Sequence, residues 1–193
     1  MTVSPRAGRL RVIGGALRGR RIQTLSGGAV RPTADRVREA LFDILGPSVV
    51  GADFLDVYCG TGAVGIEALS RGAASVAFIE QGIEVVQLLR KNLAIAGDLT
   101  RSTTVIPHDP VRAVPMLALE GRTFDLVFMD PPWTGGELDR GIRLVGRSPL
   151  LKAGAIVVGE HEASIDPPAS DRLGPYRTAR YGRTALTFYR PVR

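Results

Sequence analysis

The 193-residue chain has 45% hydrophobic residues and a formal net charge of +6, which fits one domain, or one domain with a small appendage. No window of about 18 apolar residues occurs, and the N-terminus lacks the apolar centre of a signal peptide. With Cys59 as its single cysteine, the chain can form neither an internal disulfide nor a cysteine zinc cluster. We therefore expect a soluble, cytoplasmic protein with no membrane partner.

The charge is unevenly distributed along the chain. Residues 1–40 contain nine arginines and two acids, residues 172–193 contain six arginines and no acid, and residues 41–171 carry a net charge of −7. Arginine-rich ends around an acidic centre are typical of a small-molecule site flanked by contacts to a polyanion. Arginine suits bidentate phosphate binding, so the ends predict nucleic-acid binding. A merely solvated basic surface is the alternative.

The N-terminal segment predicts a β-hairpin followed by a helix. Residues 9–24 contain two short strands around Gly14-Gly15, a frequent turn sequence. The next segment has apolar residues at helical spacing, with Thr33 as the expected N-cap and Gly46-Pro47 as the end of the helix.

After residue 51, strand and helix patterns alternate. Strands are predicted at residues 53–59, 75–80, 124–130 and 155–161, and a short strand within residues 102–109. Helices are predicted at residues 62–72, 82–97, 111–119 and 136–147. Strands rich in Val, Ile and Leu that alternate with helices indicate an α/β fold whose mostly parallel sheet is covered on both faces. A closing hairpin at residues 176–190, turning near Gly182, makes the sheet mixed. The change of pattern separates a basic extension, residues 1–48, from an α/β domain, residues 49–193.

Three glycines, Gly60, Gly62 and Gly65, directly follow the first of these strands and open a helix. Glycines in this context permit a tight turn and the close approach of a nucleoside-bearing cofactor. Their spacing also fits a dinucleotide, and Glu80 ends the next strand where it can accept both ribose hydroxyl hydrogens. Asp56 favours S-adenosylmethionine over NAD, because its carboxylate suits an ammonium and a sulfonium better than a pyrophosphate.

Further candidates flank this glycine turn. Tyr58 belongs to the same D-x-Y-C-G-T-G motif, and Asp109 follows the third strand, where it could accept from the adenine amino group. An Asp-Pro turn is the alternative for Asp109. Cys59 is expected to pack rather than to act as a nucleophile. His108 and His161 lack clustered acids, so we expect no metal.

The segment FDLVFMDPPW, residues 124–133, ends a predicted strand on an acid, two prolines and the single tryptophan. An exocyclic base amine is a poor nucleophile, because its lone pair is delocalised into the ring. Asp130 and the carbonyl of Pro131 could accept its two hydrogens and direct the lone pair at a methyl group. Pro131 and Pro132 fix the backbone, and Trp133 could stack on the base, worth ~1–3 kcal/mol. The alternatives are that Asp-Pro-Pro only begins a loop after the strand and that Trp133 packs in the hydrophobic core.

The glycine and DPPW motifs resemble those of amino-methyltransferases that modify exocyclic nitrogens of bases. The segment LRVIGGALRGRRIQTLSGGAVRPTADRVREALFDIL, residues 10–45, narrows this to the RsmD family, whose members methylate guanine N2 in small-subunit ribosomal RNA. The likeness covers about Leu10 to Tyr189. Trp133 stands where family members more often have tyrosine or phenylalanine, but it keeps the aromatic face.

The resemblance implies a Rossmann-like, seven-stranded methyltransferase sheet with a small basic N-terminal hairpin and helix. It also implies methyl transfer from S-adenosylmethionine, leaving S-adenosylhomocysteine, to N2 of a specific guanine of 16S rRNA in the assembled small subunit. The resemblance implies that the cofactor is bound by Asp56, Gly60, Gly62, Glu80 and Asp109. It implies that Asp130, Pro131 and Trp133 are catalytic or hold the base. It implies that the rRNA is contacted by Arg11, Arg18, Arg20 and Arg21. Arg31, Thr33, Asp35 and Arg36 would border the pocket, with helix capping and a surface ion pair as the alternative. We expect a monomer.

Three other functions stay open at this point. A DNA adenine-N6 methyltransferase shares the chemistry, but 193 residues leave little room for a target-recognition domain. A non-catalytic RNA-binding assembly protein could keep the fold, although an intact Asp130 argues against it. An NAD-dependent oxidoreductase has no proton donor that the sequence identifies.

Overall fold

The computed structural model describes residues 10–24 and 32–192. The helices are α1 (Pro32–Leu45), α2 (Ala63–Ser70), α3 (Ile83–Leu93), α4 (Pro110–Leu119) and α5 (Glu137–Arg147), and 3₁₀ turns cover Gly46–Val49 and Ala94–Ser102. The strands are β1 (Leu10–Arg11), β2 (Arg21–Ile22), β3 (Asp53–Val57), β4 (Ser75–Ile79), β5 (Thr103–Ile106), β6 (Phe124–Met129), β7 (Leu151–Glu162), β8 (Leu173–Tyr181) and β9 (Thr184–Pro191). Across these residues, no helix has the length and apolar character needed to cross a membrane.

Strands β3 to β9 form one seven-stranded sheet in the order β5-β4-β3-β6-β7-β9-β8. The pairs from β5 to β7 are parallel, and β9 is antiparallel to both of its neighbours. This confirms the predicted mixed, mostly parallel sheet and its closing hairpin. Strand β5, Thr103–Ile106, lies within the predicted segment 102–109 and ends before Pro107, which has no N–H to continue the ladder.

The two faces of the sheet bury separate cores. Phe54, Phe128 and Val158 pack with α1, α2 and α3 on what we call the α1 face. Their neighbours Leu55 and Val127 pack with α4 and α5 on the opposite face. Because side chains alternate along a strand, residues two positions further on keep the same face at the carboxyl edge of the sheet.

The start of α1 differs from the prediction. The helix begins at Pro32, so Thr33 lies in its first turn and the predicted N-cap position is wrong. Proline is favoured at the first helical position, since its missing N–H would have no partner there. The predicted end at Gly46-Pro47 is confirmed by the 3₁₀ turn that follows Leu45.

The N-terminal hairpin is packed against α2 and α3. Its strands pair as predicted, but residues 12–20 connect them, rather than Gly14-Gly15 alone. A Cβ on Gly15 would lie 1.8 Å from the carbonyl oxygen of Ser70, so only glycine allows this approach to α2. Leu17 N donates to Ser70 Oγ at 2.8 Å, and Gln23 exchanges two hydrogen bonds with Asn92 of α3. The predicted boundary at residue 48 stays a prediction.

A fully buried acid, Glu67 of α2, fixes this packing. Its carboxylate accepts from the amides of Ile13 at 2.7 Å and Gly14 at 2.8 Å. Arg71 Nε lies 2.8 Å and Arg38 Nε 3.7 Å from the same carboxylate. The two arginines balance the buried charge, so Glu67 joins the N-terminal segment, α1 and α2 electrostatically.

We expect Glu67→Gln to destabilise the protein by about 3–5 kcal/mol, because the two arginines would be left without their buried counter-charge. The free energy of unfolding in urea measures this loss. Glu39→Gln, which removes an exposed acid from α1, is the matched control and should change stability by less than about 0.5 kcal/mol. A Glu67→Gln protein as stable as this control would contradict the assigned role.

Candidate active site

The turn between β3 and α2 has an unusual backbone. Gly60 and Gly62 have φ of +54° and +82°, and Tyr58 has φ of +61°. Tyr58 is the one non-glycine residue with positive φ in residues 10–24 and 32–192. Strain of this kind costs of order 1–3 kcal/mol and concentrates at functional sites. The predicted glycine turn is therefore present, and Tyr58 belongs to it structurally.

The glycines of this turn serve different purposes. A Cβ on Gly65 would lie 2.2 Å from Phe78 Cε1, and one on Gly62 would lie 2.3 Å from Leu89 Cδ1. These two glycines allow α2 to pack closely on the sheet and on α3. A Cβ on Gly60 would meet nothing within 4 Å, so this position leaves the edge of the turn open to a ligand.

Two predicted cofactor acids are held by backbone amides of this region. Asp56 is 1% exposed and accepts from Gly65 N at 2.8 Å, at the start of α2. Burial raises the pKa of Asp56 to about 8, although the bond from Gly65 opposes this shift; the charges of Asp130 and Glu80 add to it. Glu80 accepts from Gly60 N at 3.1 Å and Gly82 N at 2.7 Å, which fixes its carboxylate beside the turn.

The DPPW segment lies directly beside the glycine turn. Strands β3 and β6 are parallel neighbours with Val57 opposite Met129, so Asp130 emerges next to Tyr58, as predicted. A pocket of about 150 Å³ contains both. Its lining residues are Tyr58, Ile79, Glu80, Gln81, His108, Pro110, Asp130 and Pro132. The structure thus brings together Asp130, predicted to hold the base amine, and Glu80, predicted to bind the cofactor ribose, in one cleft.

The four DPPW residues differ in exposure. Asp130 and Pro132 are exposed, Pro131 is buried, and Trp133 is half-buried. The exposed surface of Asp130 faces the cleft, but protein atoms crowd its other sides, and this desolvation raises its pKa; a hydrogen bond from the Trp133 side chain opposes the shift. Trp133 is half-buried beside Asp130, and its stacking on a base stays a prediction.

Asp109 serves as the N-cap of α4. Its side chain accepts from Arg112 N at 3.1 Å, a capping role that the sequence analysis did not predict. Asp109 also borders a groove of about 1290 Å³ between α4 and α5, to which Tyr58 and Pro132 contribute. The predicted contact with adenine stays a prediction.

The arginines predicted to contact RNA are distributed over the N-terminal segment and α1. Arg11, Arg18, Arg20, Arg21 and Arg36 are exposed, and Arg31 lies outside the described residues. The Arg11 side chain donates to the Gly19 carbonyl within the hairpin. Asp35 forms an ion pair with the buried Arg38 at 3.1 Å, in agreement with the ion-pair alternative, and the Thr33 side chain lies outside the description.

Comparisons with known proteins agree with this geometry. A family model described as Conserved hypothetical protein 95 matches residues 10–190. Ribosomal RNA small subunit methyltransferase D of Escherichia coli strain K12 is 40% identical over 158 residues, which cover 81% of this chain and 76% of the relative. The chain belongs to this family, the RsmD methyltransferases.

Solved structures extend the comparison. The Escherichia coli protein yhhF matches with a TM-score of 0.81 at 34% identity, over 95% of this chain and 98% of that chain. The T. thermophilus 16S rRNA N2 methyltransferase RsmC, in complex with AdoMet and guanosine, matches with a TM-score of 0.73 over 97% of this chain and 50% of that chain. Its 23% identity shows the shared fold alone. Membership of the RsmD family confirms the resemblance, the Rossmann-like methyltransferase fold and the enzyme class predicted from the sequence.

Sequence reasoning missed one acid close to Asp130, Glu160 of β7. The register of β7 on β6 places Gly159 opposite Met129, so Glu160 and Asp130 follow on adjacent strands. Burial raises the pKa of Glu160, and the nearby Asp130 charge raises it further. The signal was available, since Glu160 follows the apolar run 155–158 in the same way that Asp130 follows its own.

Proposed function

We propose that this chain transfers a methyl group from S-adenosylmethionine to the exocyclic N2 of one guanine in 16S rRNA. The observation that carries the proposal is the placement of Asp130 and Glu80 in one pocket beside the glycine turn. The name of the Escherichia coli relative supports ribosomal RNA as the substrate, and the ligands of the RsmC structure support the cofactor and the base. Action on the assembled subunit, as a cytoplasmic monomer, belongs to the same proposal.

The residues around the turn fit a cationic nucleoside cofactor. Glu80 stands where it can accept from the ribose hydroxyls, and Gly60 leaves the approach open. Asp56 is too buried for broad contact with a ligand, so we assign it to hold the start of α2 and to act through its charge. A bound ammonium or sulfonium would favour the ionised form of Asp56 and lower the pKa that burial has raised.

The chemistry assigned to the protein is mainly the positioning of the base. S-adenosylmethionine, when bound, supplies a methyl group whose bond to sulfur breaks as its bond to nitrogen forms, leaving S-adenosylhomocysteine. Asp130 and the Pro131 carbonyl accept the two amine hydrogens and direct the nitrogen lone pair at that methyl group. The methylated nitrogen then loses one proton to Asp130 or to water. Positioning of this kind replaces a bimolecular encounter and can supply several kcal/mol of the barrier.

A labelling experiment tests the proposed reaction. Tritiated S-adenosylmethionine is supplied with small subunits from cells that lack the protein, with naked 16S rRNA, and with duplex DNA. We expect label only on RNA, more on particles than on naked rRNA, and recovered as N2-methylguanosine after digestion. Label on adenine would contradict the proposal and favour the DNA alternative. Absence of label from every substrate would favour a non-catalytic RNA-binding protein.

Two glycine variants separate cofactor binding from folding. Gly65→Ala should destabilise the protein by about 1–3 kcal/mol, because its Cβ would overlap Phe78. Gly60→Ala should cost only about 1–2 kcal/mol of backbone strain, but should weaken S-adenosylmethionine binding, because the methyl group occupies the open edge of the turn. Thermal unfolding and titration calorimetry measure the two effects. Unchanged cofactor affinity in Gly60→Ala would contradict the assigned site.

A further inference from the structure

Three acids lie at the carboxyl edge of the sheet, after β4, after β6 and in β7, with β3 between the first two. Phe128 of β6 pairs with Val158 of the parallel strand β7. On its other side Phe128 pairs with Asp56 of β3, which in turn pairs with Phe78 of β4, so these residues form one row across the sheet. The side chains of Phe78, Phe128 and Val158 pack on the α1 face. Two positions further along come Glu160, which keeps that face within β7, and Glu80 and Asp130, which directly follow the ends of β4 and β6.

The first two acids of this row have partners, and the third does not. Glu80 accepts two backbone amides, and Asp130 bonds to Trp133. Glu160 is half-buried, and over residues 10–24 and 32–192 no donor or cation reaches its carboxylate. A partly buried carboxylate without a donor, next to a second carboxylate, costs free energy that a ligand with suitable donors would offset.

The position of Glu160 relative to the cofactor identifies the side from which a base would enter. Displacement at the methyl group requires the attacking nitrogen to lie opposite the sulfur. Because the glycine turn and Glu80 place the cofactor over β3 and β4, the base lies over β6 and β7. Glu160 occupies that side, and adjacent strands are only about 4.8 Å apart, within reach of two carboxylates that hold one base edge.

We propose that Glu160 accepts the N1–H of the target guanine while Asp130 accepts a hydrogen of its N2 amine. This inference rests on the proposed guanine-N2 transfer and names the residue that selects the base. Guanine presents these two donors side by side on its Watson–Crick edge, and an ionised carboxylate is an acceptor only. Purines that lack the N1 hydrogen present an acceptor at N1, which repels Glu160. Guanine is therefore selected by one acid for the amine and another for the neighbouring ring nitrogen.

The analogue 2-aminopurine tests this assignment, because it carries the same exocyclic amine but has no hydrogen on N1. After the labelling experiment has located the methylated guanine, 16S rRNA with guanine or 2-aminopurine at that position is assembled into particles. At pH 9, above the pKa of about 8 to which burial raises Glu160, the wild-type protein should methylate 2-aminopurine with a kcat/KM at least about 100-fold below that for guanine, because the N1 acceptor then faces an ionised carboxylate.

The variant Glu160→Gln should lower kcat/KM on guanine about tenfold. It should also reduce the ratio of kcat/KM on guanine to kcat/KM on 2-aminopurine at least about tenfold. Its amide N–H₂ can donate to N1 of the analogue, which a merely structural side chain would not do. Glu162→Gln, which replaces a half-buried acid two positions further along β7, is the matched control and should leave both values unchanged.

Folding does not obscure this test. Because the pKa of Glu160 is higher in the folded protein than in the unfolded chain, the folded protein binds more protons between these two pKa values. The ionisation of Glu160 therefore lowers the free energy of unfolding as the pH rises above the pKa of the unfolded chain. Glu160→Gln should therefore melt no lower than the wild type at pH 8. Equal use of guanine and 2-aminopurine by the wild type, or an unchanged preference in a folded Glu160→Gln protein, would overturn the inference alone. Absence of guanine methylation by the wild type would instead overturn the proposed function.

Discussion

Asp130→Ala should lower the rate of methyl transfer by about 100- to 10,000-fold while S-adenosylmethionine still binds. Asp130 directly follows β6 and lines the pocket beside the glycine turn. Without it, one amine hydrogen loses its acceptor and the lone pair is no longer directed at the methyl group. The cofactor contacts assigned to Glu80 and Gly60 lie on neighbouring strands and stay intact.

The measurement combines single-turnover transfer on small subunits with titration calorimetry of S-adenosylmethionine. Asp166→Ala is a matched control, because Asp166 opens the second Asp-Pro-Pro sequence of the chain but is exposed and follows β7 rather than the central strands. The control should keep both activity and affinity. An Asp130→Ala protein that retains more than a tenth of wild-type activity would contradict the catalytic role.

Replacing Arg18, Arg20 and Arg21 together with glutamine should weaken RNA binding strongly and make it less sensitive to salt. The three side chains are exposed on a segment held against α2 and α3, so they present a fixed group of positive charges to a phosphate backbone. Each lost phosphate contact reduces the slope of log K against log salt by about 0.7–0.9, which gives about 2–3 for the set.

Filter binding or fluorescence anisotropy of a 16S rRNA fragment at several salt concentrations measures this slope. The control is a triple variant in which Arg112, Arg143 and Arg147 are replaced with glutamine. It removes the same number of positive charges from the opposite face of the sheet. These exposed arginines have acidic partners, Asp109, Asp139 and Asp171. This control should leave the slope nearly unchanged. Equal effects of the two triple variants would show that overall charge, and not the hairpin, controls binding.

The sequence predicted the parts of the site that depend on strand order. Carboxyl ends of parallel strands meet at one edge, so the alternation of strands and helices was enough to place Asp130 beside the glycine turn. Glu160 also follows an apolar run, but its position level with Asp130 depends on the register of β7 against β6, which the sequence does not give. The same limit applies to Glu67, whose amide partners Ile13 and Gly14 lie more than 50 residues away in the chain.

Local patterns were less reliable where two structural roles compete for one residue. Thr33 was expected to cap α1, but Pro32 already occupies the first helical position. Asp109 was expected to contact adenine or to form an Asp-Pro turn; it caps α4, and the adenine contact stays a prediction. Trp133 was expected to offer a stacking face, which stays a prediction, and its influence on the Asp130 pKa could not be inferred from composition or spacing.

A crystal structure with S-adenosylmethionine and guanosine tests the central claim most directly. We predict that the methyl group lies in the pocket of Tyr58, Glu80 and Asp130, with the ribose hydroxyls on Glu80. The guanine amine should rest on Asp130 at about 3–3.5 Å from the methyl carbon. A cofactor bound wholly in the groove between α4 and α5, with its methyl group directed away from Asp130, would contradict the account.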